Sequence, residues 1–159
     1  MLDPIAQAVV DQLRTRGETL CVAESLTGGG VGVAITSIPG SSDVFLGGIT
    51  AYHAQVKESL LKVAHSVIVE FGVVSEEVAI AMADGARELF GATWAISTTG
   101  VAGPGPADGH SPGTVWVAIR GPLTQTTQLQ IDGEREIIRN ATVKSAVSAF
   151  ARILGSPAT

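Results

Sequence analysis

Cysteine is almost absent. The single Cys21 lies inside the apolar run Thr19–Ala23, so no disulfide can form within the chain, and the expected role is a buried core thiol. Charge is scarce as well: 16% of the 159 residues are charged and the net charge is −5. A phosphate backbone asks for a basic face, so nucleic acid is not an expected partner. No apolar run reaches the ~20 residues of a membrane span, and no basic segment precedes an apolar one at the start. We therefore expect no membrane association and a cytoplasmic location. Aromatic residues make up only 4% of the chain. The three histidines, His53, His65 and His110, match no metal-ligand spacing. No metal and no cofactor is expected.

What is abundant is apolar residues, at 45%, and glycine, at 19 positions. With a mean hydropathy of +0.35, this is the composition of one compact domain spanning residues 1–159. Few charges on so apolar a chain also point to a homo-oligomer that covers some of the surface.

The pattern along the chain alternates strands and helices. Asp3-Pro4 starts a helix with Ile5, Val9 and Leu13 on one face, and Gly17 stops it. Thr19–Ala23 reads as a buried strand. Val44–Tyr52 is a second, followed by a helix whose apolar face is Val56, Leu60 and Val63. Ser75 caps another helix, with Val78, Met82 and Leu89 inward. Ala92–Thr98 is a strand. Gly113–Arg120 and Thr124–Ile131 form a hairpin around Gly121-Pro122, the second strand at an edge. Asp132-Gly133 opens the last helix, with a core stripe of Val143, Val147, Phe150 and Leu154. Residues 155–159 read as a frayed tail. The expected fold is a three-layer α/β/α sandwich with a mostly parallel, mixed sheet.

Two glycine-rich loops follow strands. In the first, Ser25, Thr27, Gly28 and Gly29 precede a helix over 31–37, a geometry that offers backbone N–H groups to a phosphate. In the second, Thr99, Gly100 and Gly103 follow the third strand. Two such loops point to one crevice. Arg135 and Arg139, four apart on one helix face, read either as a solvated face or as a phosphate or carboxylate clamp. Ser42, Tyr52 and Lys57 offer a hydroxyl, a phenol and an amine around one strand. A serine hydroxyl needs a base to become a nucleophile, and these three are expected to form one proton-transfer set. Ser59-Leu60-Leu61-Lys62 matches a serine-x-x-lysine pattern, but its companion motifs are missing and Leu60 is placed on the buried face, so the match is read as chance.

The ordered motifs Ala23-Glu24-Ser25-x-Thr27-Gly28-Gly29, Pro39-Gly40-Ser41-Ser42, Tyr52 with Lys57, Gly72-x-Val74-Ser75, Thr99-Gly100-x-Ala102-Gly103-Pro104 and Gly113-Thr114-Val115 resemble the CinA C-terminal domain family. Its stand-alone members include the nicotinamide mononucleotide deamidases. The resemblance runs from about residue 5 to 154. It implies hydrolysis of the carboxamide of nicotinamide mononucleotide to nicotinate mononucleotide and ammonia, a step in pyridine nucleotide recycling. It implies catalytic roles for Ser42, Tyr52 and Lys57, supporting roles for Ser25 and Thr99, and a role for the arginine in Gly133-Glu134-Arg135. The chain departs from the family pattern at His53-Ala54, where serine-asparagine is common, and at Glu134, where aspartate is common. A nucleotide-binding homologue without hydrolysis, or an amidase for a related nicotinamide nucleotide, is the alternative.

Overall fold

The computed structural model describes residues 1–156. In chain order the elements are α1 (Pro4–Arg16), β1 (Leu20–Glu24), α2 (Gly30–Thr36), β2 (Phe45–Thr50), α3 (Ala54–Leu61), α4 (His65–Phe71), α5 (Glu76–Phe90), β3 (Trp94–Gly100), β4 (Thr114–Arg120), β5 (Gln125–Gln130) and α6 (Arg135–Leu154). The sheet order is β2-β1-β3-β4-β5. β1 pairs in parallel with β2 and β3, while β3-β4 and β4-β5 are antiparallel. This is the mixed α/β/α sandwich expected from the sequence. α1, α2 and α6 share one apolar core on one face. α3 and α5, with α4 against them, share the other. No helix among the described residues is long and apolar enough to cross a membrane.

Local chemistry sets the boundaries. The Asp3 carboxylate accepts the amides of Ile5 and Ala6, and Gly17 ends α1 in the left-handed region at φ 66°. β1 is buried along its whole length, as a strand covered by helices on both faces must be. Cys21 is fully buried, and desolvation pushes its thiol up to about 12. β5 lies at the sheet edge, half exposed.

Three sequence expectations need correction. The inward face of α3 is Lys57 and Leu61, and Leu60 is exposed. Periodicity turned the helix the other way because it counted only apolar residues and left Lys57 out of the inward stripe. Leu89 is exposed too; α5 buries Val78, Ala79, Met82, Ala83 and Ala86, a stripe of mostly small residues that brings the helix close to the sheet. α4, with no buried residue and little polar punctuation, was not foreseen. Of the tail at 155–159, residues 157–159 lie outside the described residues.

The α3–α5 contact holds Lys57 in place. A Cβ added at Gly85 in α5 would strike the backbone carbonyl of Leu61 at the end of α3. Only glycine allows that approach. Gly85→Ala is expected to lower stability by about 1–3 kcal/mol through overpacking, measured by urea denaturation.

Candidate active site

β1 is where the sheet changes direction of growth. The chain leaves β1 through α2 to reach β2 on one side, then crosses by α3–α5 to β3 on the other. The two connections lie on opposite faces and part just beyond the carboxyl end of β1, which opens a crevice there. Ser25 is the first residue past that end. A cleft of about 430 Å³ lies there, lined among others by Ser25, Tyr52, His53, Lys57, Thr99 and Arg135.

Ser25 is buried, and its amide donates to Thr98 O at 3.0 Å, which continues the β1–β3 ladder one residue past the strand. Lys57 is 2% exposed. Its Nζ donates to Ser25 Oγ at 3.0 Å and to Ala51 O at 2.7 Å. No carboxylate pairs with it among the described residues, and burial lowers the ammonium from 10.5 to about 8. The pair is a hydroxyl against an amine that gives up its proton near pH 8.

Glu24 shapes the loop beside them. It is 1% exposed, yet no cation pairs with it among the described residues. Its carboxylate accepts Thr27 Oγ1 at 2.6 Å and the amides of Gly29, Val31 and Gly32 at 2.9, 3.1 and 2.8 Å. An internal carboxylate thus takes the place an external anion would occupy at the start of α2. The Gly28 amide goes to Ser25 O. The expectation that Gly28 and Gly29 offer free N–H groups to a phosphate is therefore corrected. Thr27 is corrected likewise: its hydroxyl bonds Glu24 and Thr98 inside the core. The Leu26 amide, next to Ser25, donates to no acceptor among the described residues.

The remaining expected residues divide. Tyr52, half exposed, accepts Arg135 Nη2 at 2.8 Å, and Arg135 Nη1 donates to Gly103 O at 2.7 Å. This ties the first turn of α6 to two loops across the cleft mouth. Thr99 Oγ1 donates to Val73 O at 2.7 Å, and Asp108 accepts the Val74 amide at 2.9 Å, so both pin the 72–74 segment as a cleft wall. Gly100 lines the cleft. Arg139 points elsewhere: its guanidinium donates to Leu26 O at 3.0 Å and Thr27 O at 3.4 Å, holding the loop from α6 rather than clamping a ligand.

Ser42 is not with Lys57. It is exposed in the 3-10 turn Ser41–Asp43, which precedes β2, while Tyr52 follows that strand. Six extended residues place the two ends of β2 roughly 20 Å apart. Its neighbours are Gly40 and Asp43, which contact Arg14 of α1. Closeness in sequence was mistaken for closeness in space, and Ser25 stands where Ser42 was expected. Glu24, Ala51 O and Asp108 were missed. For Glu24 a signal existed, an acidic residue just before a glycine-rich helix start.

The class is thus an α/β/α sandwich with a serine–lysine cleft at its topological switch point. Residues 2–154 match the CinA C-terminal domain model, and the chain belongs to that family. A CinA-like protein of Synechocystis sp. is 45% identical over 97% of this chain. The chain spans 38% of that relative and 29% of a Synechococcus sp. CinA-like protein that is 52% identical over 121 residues. Among solved structures, a CinA superfamily protein of Klebsiella pneumoniae superposes with TM-score 0.91 at 29% identity, covering 95% of this chain and 96% of that one. The competence/damage inducible protein CihA of Agrobacterium tumefaciens gives 0.86 at 30%, covering 98% and 99%.

Lys57→Met should remove a buried charge that costs ~3 kcal/mol and so hold or raise stability. The sign also shows in pH. The unfolded lysine keeps its proton up to 10.5 and the folded one releases it near 8, so wild-type stability rises through this window. Cys21 opposes this above 9.0, where the unfolded thiol ionises and the folded one does not. The comparison belongs between about pH 8 and 9, by urea denaturation, and Lys57→Met should flatten the rise.

Proposed function

We propose that this chain hydrolyses the carboxamide of nicotinamide mononucleotide to nicotinate mononucleotide and ammonia, with Ser25 as nucleophile and Lys57 as base. The observation that carries this reading is the buried 3.0 Å contact between Ser25 Oγ and Lys57 Nζ. The family resemblance supplies the substrate.

In the neutral amine the contact runs the other way, with the Ser25 hydroxyl donating to the Nζ lone pair. At pH 7 about one lysine in ten is neutral, given a value of about 8. Ser25 Oγ attacks the carboxamide carbon as Lys57 takes its proton. The Leu26 amide is placed beside the nucleophile to receive the oxyanion, a donor worth on the order of 3 kcal/mol. Lys57 returns the proton to the departing nitrogen, which leaves as ammonia. Water then attacks the ester, giving its proton to Lys57, and the carboxylate product departs as Ser25 regains its hydrogen. Tyr52, at the mouth on Arg135, orients the substrate.

Three measurements of ammonia release from nicotinamide mononucleotide test this. Ser25→Ala is expected to lower turnover on the order of a thousandfold or more, while Ser42→Ala stays near wild type. Turnover of the wild type is expected to rise with pH along a limb near 8, set by loss of the Lys57 proton. Full activity in Ser25→Ala would remove the serine from the chemistry. Tight binding by the wild type with no ammonia would leave a nucleotide-binding protein in place of an enzyme.

A further inference from the structure

A mononucleotide brings a phosphate, and the amides of Gly28, Gly29, Val31 and Gly32 cannot meet it, because Glu24 and Ser25 O have taken them, while the Leu26 amide faces the oxyanion in the proposed reaction. Arg139 is turned to the loop backbone, on Leu26 O and Thr27 O, and does not line the cleft. The anion must be met by other donors in the cleft. Arg135 uses one N–H on Gly103 O and one on Tyr52 Oη. A guanidinium carries about five, so it keeps donors to spare.

His53 lines the same cleft, directly after Tyr52, and is exposed. It is the N-cap of α3, and its Nδ1 accepts the Gln55 amide at 3.1 Å. A backbone N–H can donate only to a ring nitrogen that holds a lone pair. The neutral ring must then carry its hydrogen on Nε2. Capping thus fixes the tautomer, and Nε2–H is a donor with no protein acceptor among the described residues. The charged neighbours along the cleft are Lys57, Arg135 and Asp108, and Asp108 is engaged with the Val74 amide.

We propose that His53 is a ligand-binding residue: Nε2–H and the spare N–H groups of Arg135 form the subsite for the substrate's phosphate. This rests on reading the cleft as a nicotinamide nucleotide site. Position 53 then sets the preference for a phosphorylated ligand over its nucleoside.

His53→Asn separates binding from capping. The asparagine oxygen caps a helix as well as Nδ1 does, but no donor remains where Nε2 stood. The expected result is an unchanged melting temperature, kcat near wild type, and a KM for nicotinamide mononucleotide raised about tenfold or more, the loss of one hydrogen bond to a charged group. The KM for nicotinamide riboside, which lacks the phosphate, should not move. His53→Gln, which restores a donor at greater reach, should recover part of the mononucleotide KM. Equal shifts for both substrates, or no shift for either, would overturn the assignment. If the wild type releases no ammonia, the hydrolysis reading fails on its own, and calorimetry with nicotinate mononucleotide and nicotinate riboside still decides this one. A tenfold preference for the mononucleotide that His53→Asn erases supports the subsite. Equal affinity for the two in the wild type, or no binding of either, rejects it.

Discussion

A lysine held out of water with no carboxylate beside it is the constraint on which this structure turns. Burying a cation costs several kcal/mol unless something compensates, and here only a hydroxyl and a carbonyl oxygen do. The fold bears that cost rather than relieving it with an acid. The same desolvation lowers the amine's proton affinity to about 8, so the feature that weakens the fold makes Lys57 a base. Its position depends on α3 lying tightly against α5, with Gly85 under the Leu61 carbonyl, and on Ser25 being held by the β1–β3 ladder.

Glu24 is the complementary case. It is as buried as Lys57, equally without an ion-pair partner, and one residue from Ser25. Its charge is met by three amides and a hydroxyl at the start of α2. The two buried charges divide the labour. Glu24 fixes the backbone that presents Ser25, and in the proposed reaction Lys57 handles its proton. This arrangement also closes the glycine and α2-start amides to outside anions. In the proposed reading a phosphate is met at the cleft mouth, where Tyr52, Arg135 and His53 lie.

Much of the architecture was legible in the sequence. Asp3, Gly17 and Ser75 marked helix ends by capping chemistry that acts over three or four residues. The apolar runs at β1 and β3 showed strands buried on both faces. Lys57 and Tyr52 stood out as reactive types near a strand end, and the structure puts both on the cleft. The errors have two causes. Ser42 and the inward face of α3 were read from near neighbours in sequence and were decided by groups far along the chain or on the other side of a strand. The loop amides of Gly28 and Gly29 were decided locally, by Glu24 and Ser25 O within five residues.

The residues alone determined the alternation of strand and helix, the helix caps, the mixed α/β/α class and the family motifs, because these rest on periodicity and on contacts within a turn. Tertiary structure alone decided which serine meets the lysine. Ser25 and Lys57 are 32 positions apart, and only the parallel pairing of β1 with β2 brings the ends of both strands to one edge. Ser42, nearer in sequence, is carried to the opposite edge because a strand is straight and its two ends cannot meet.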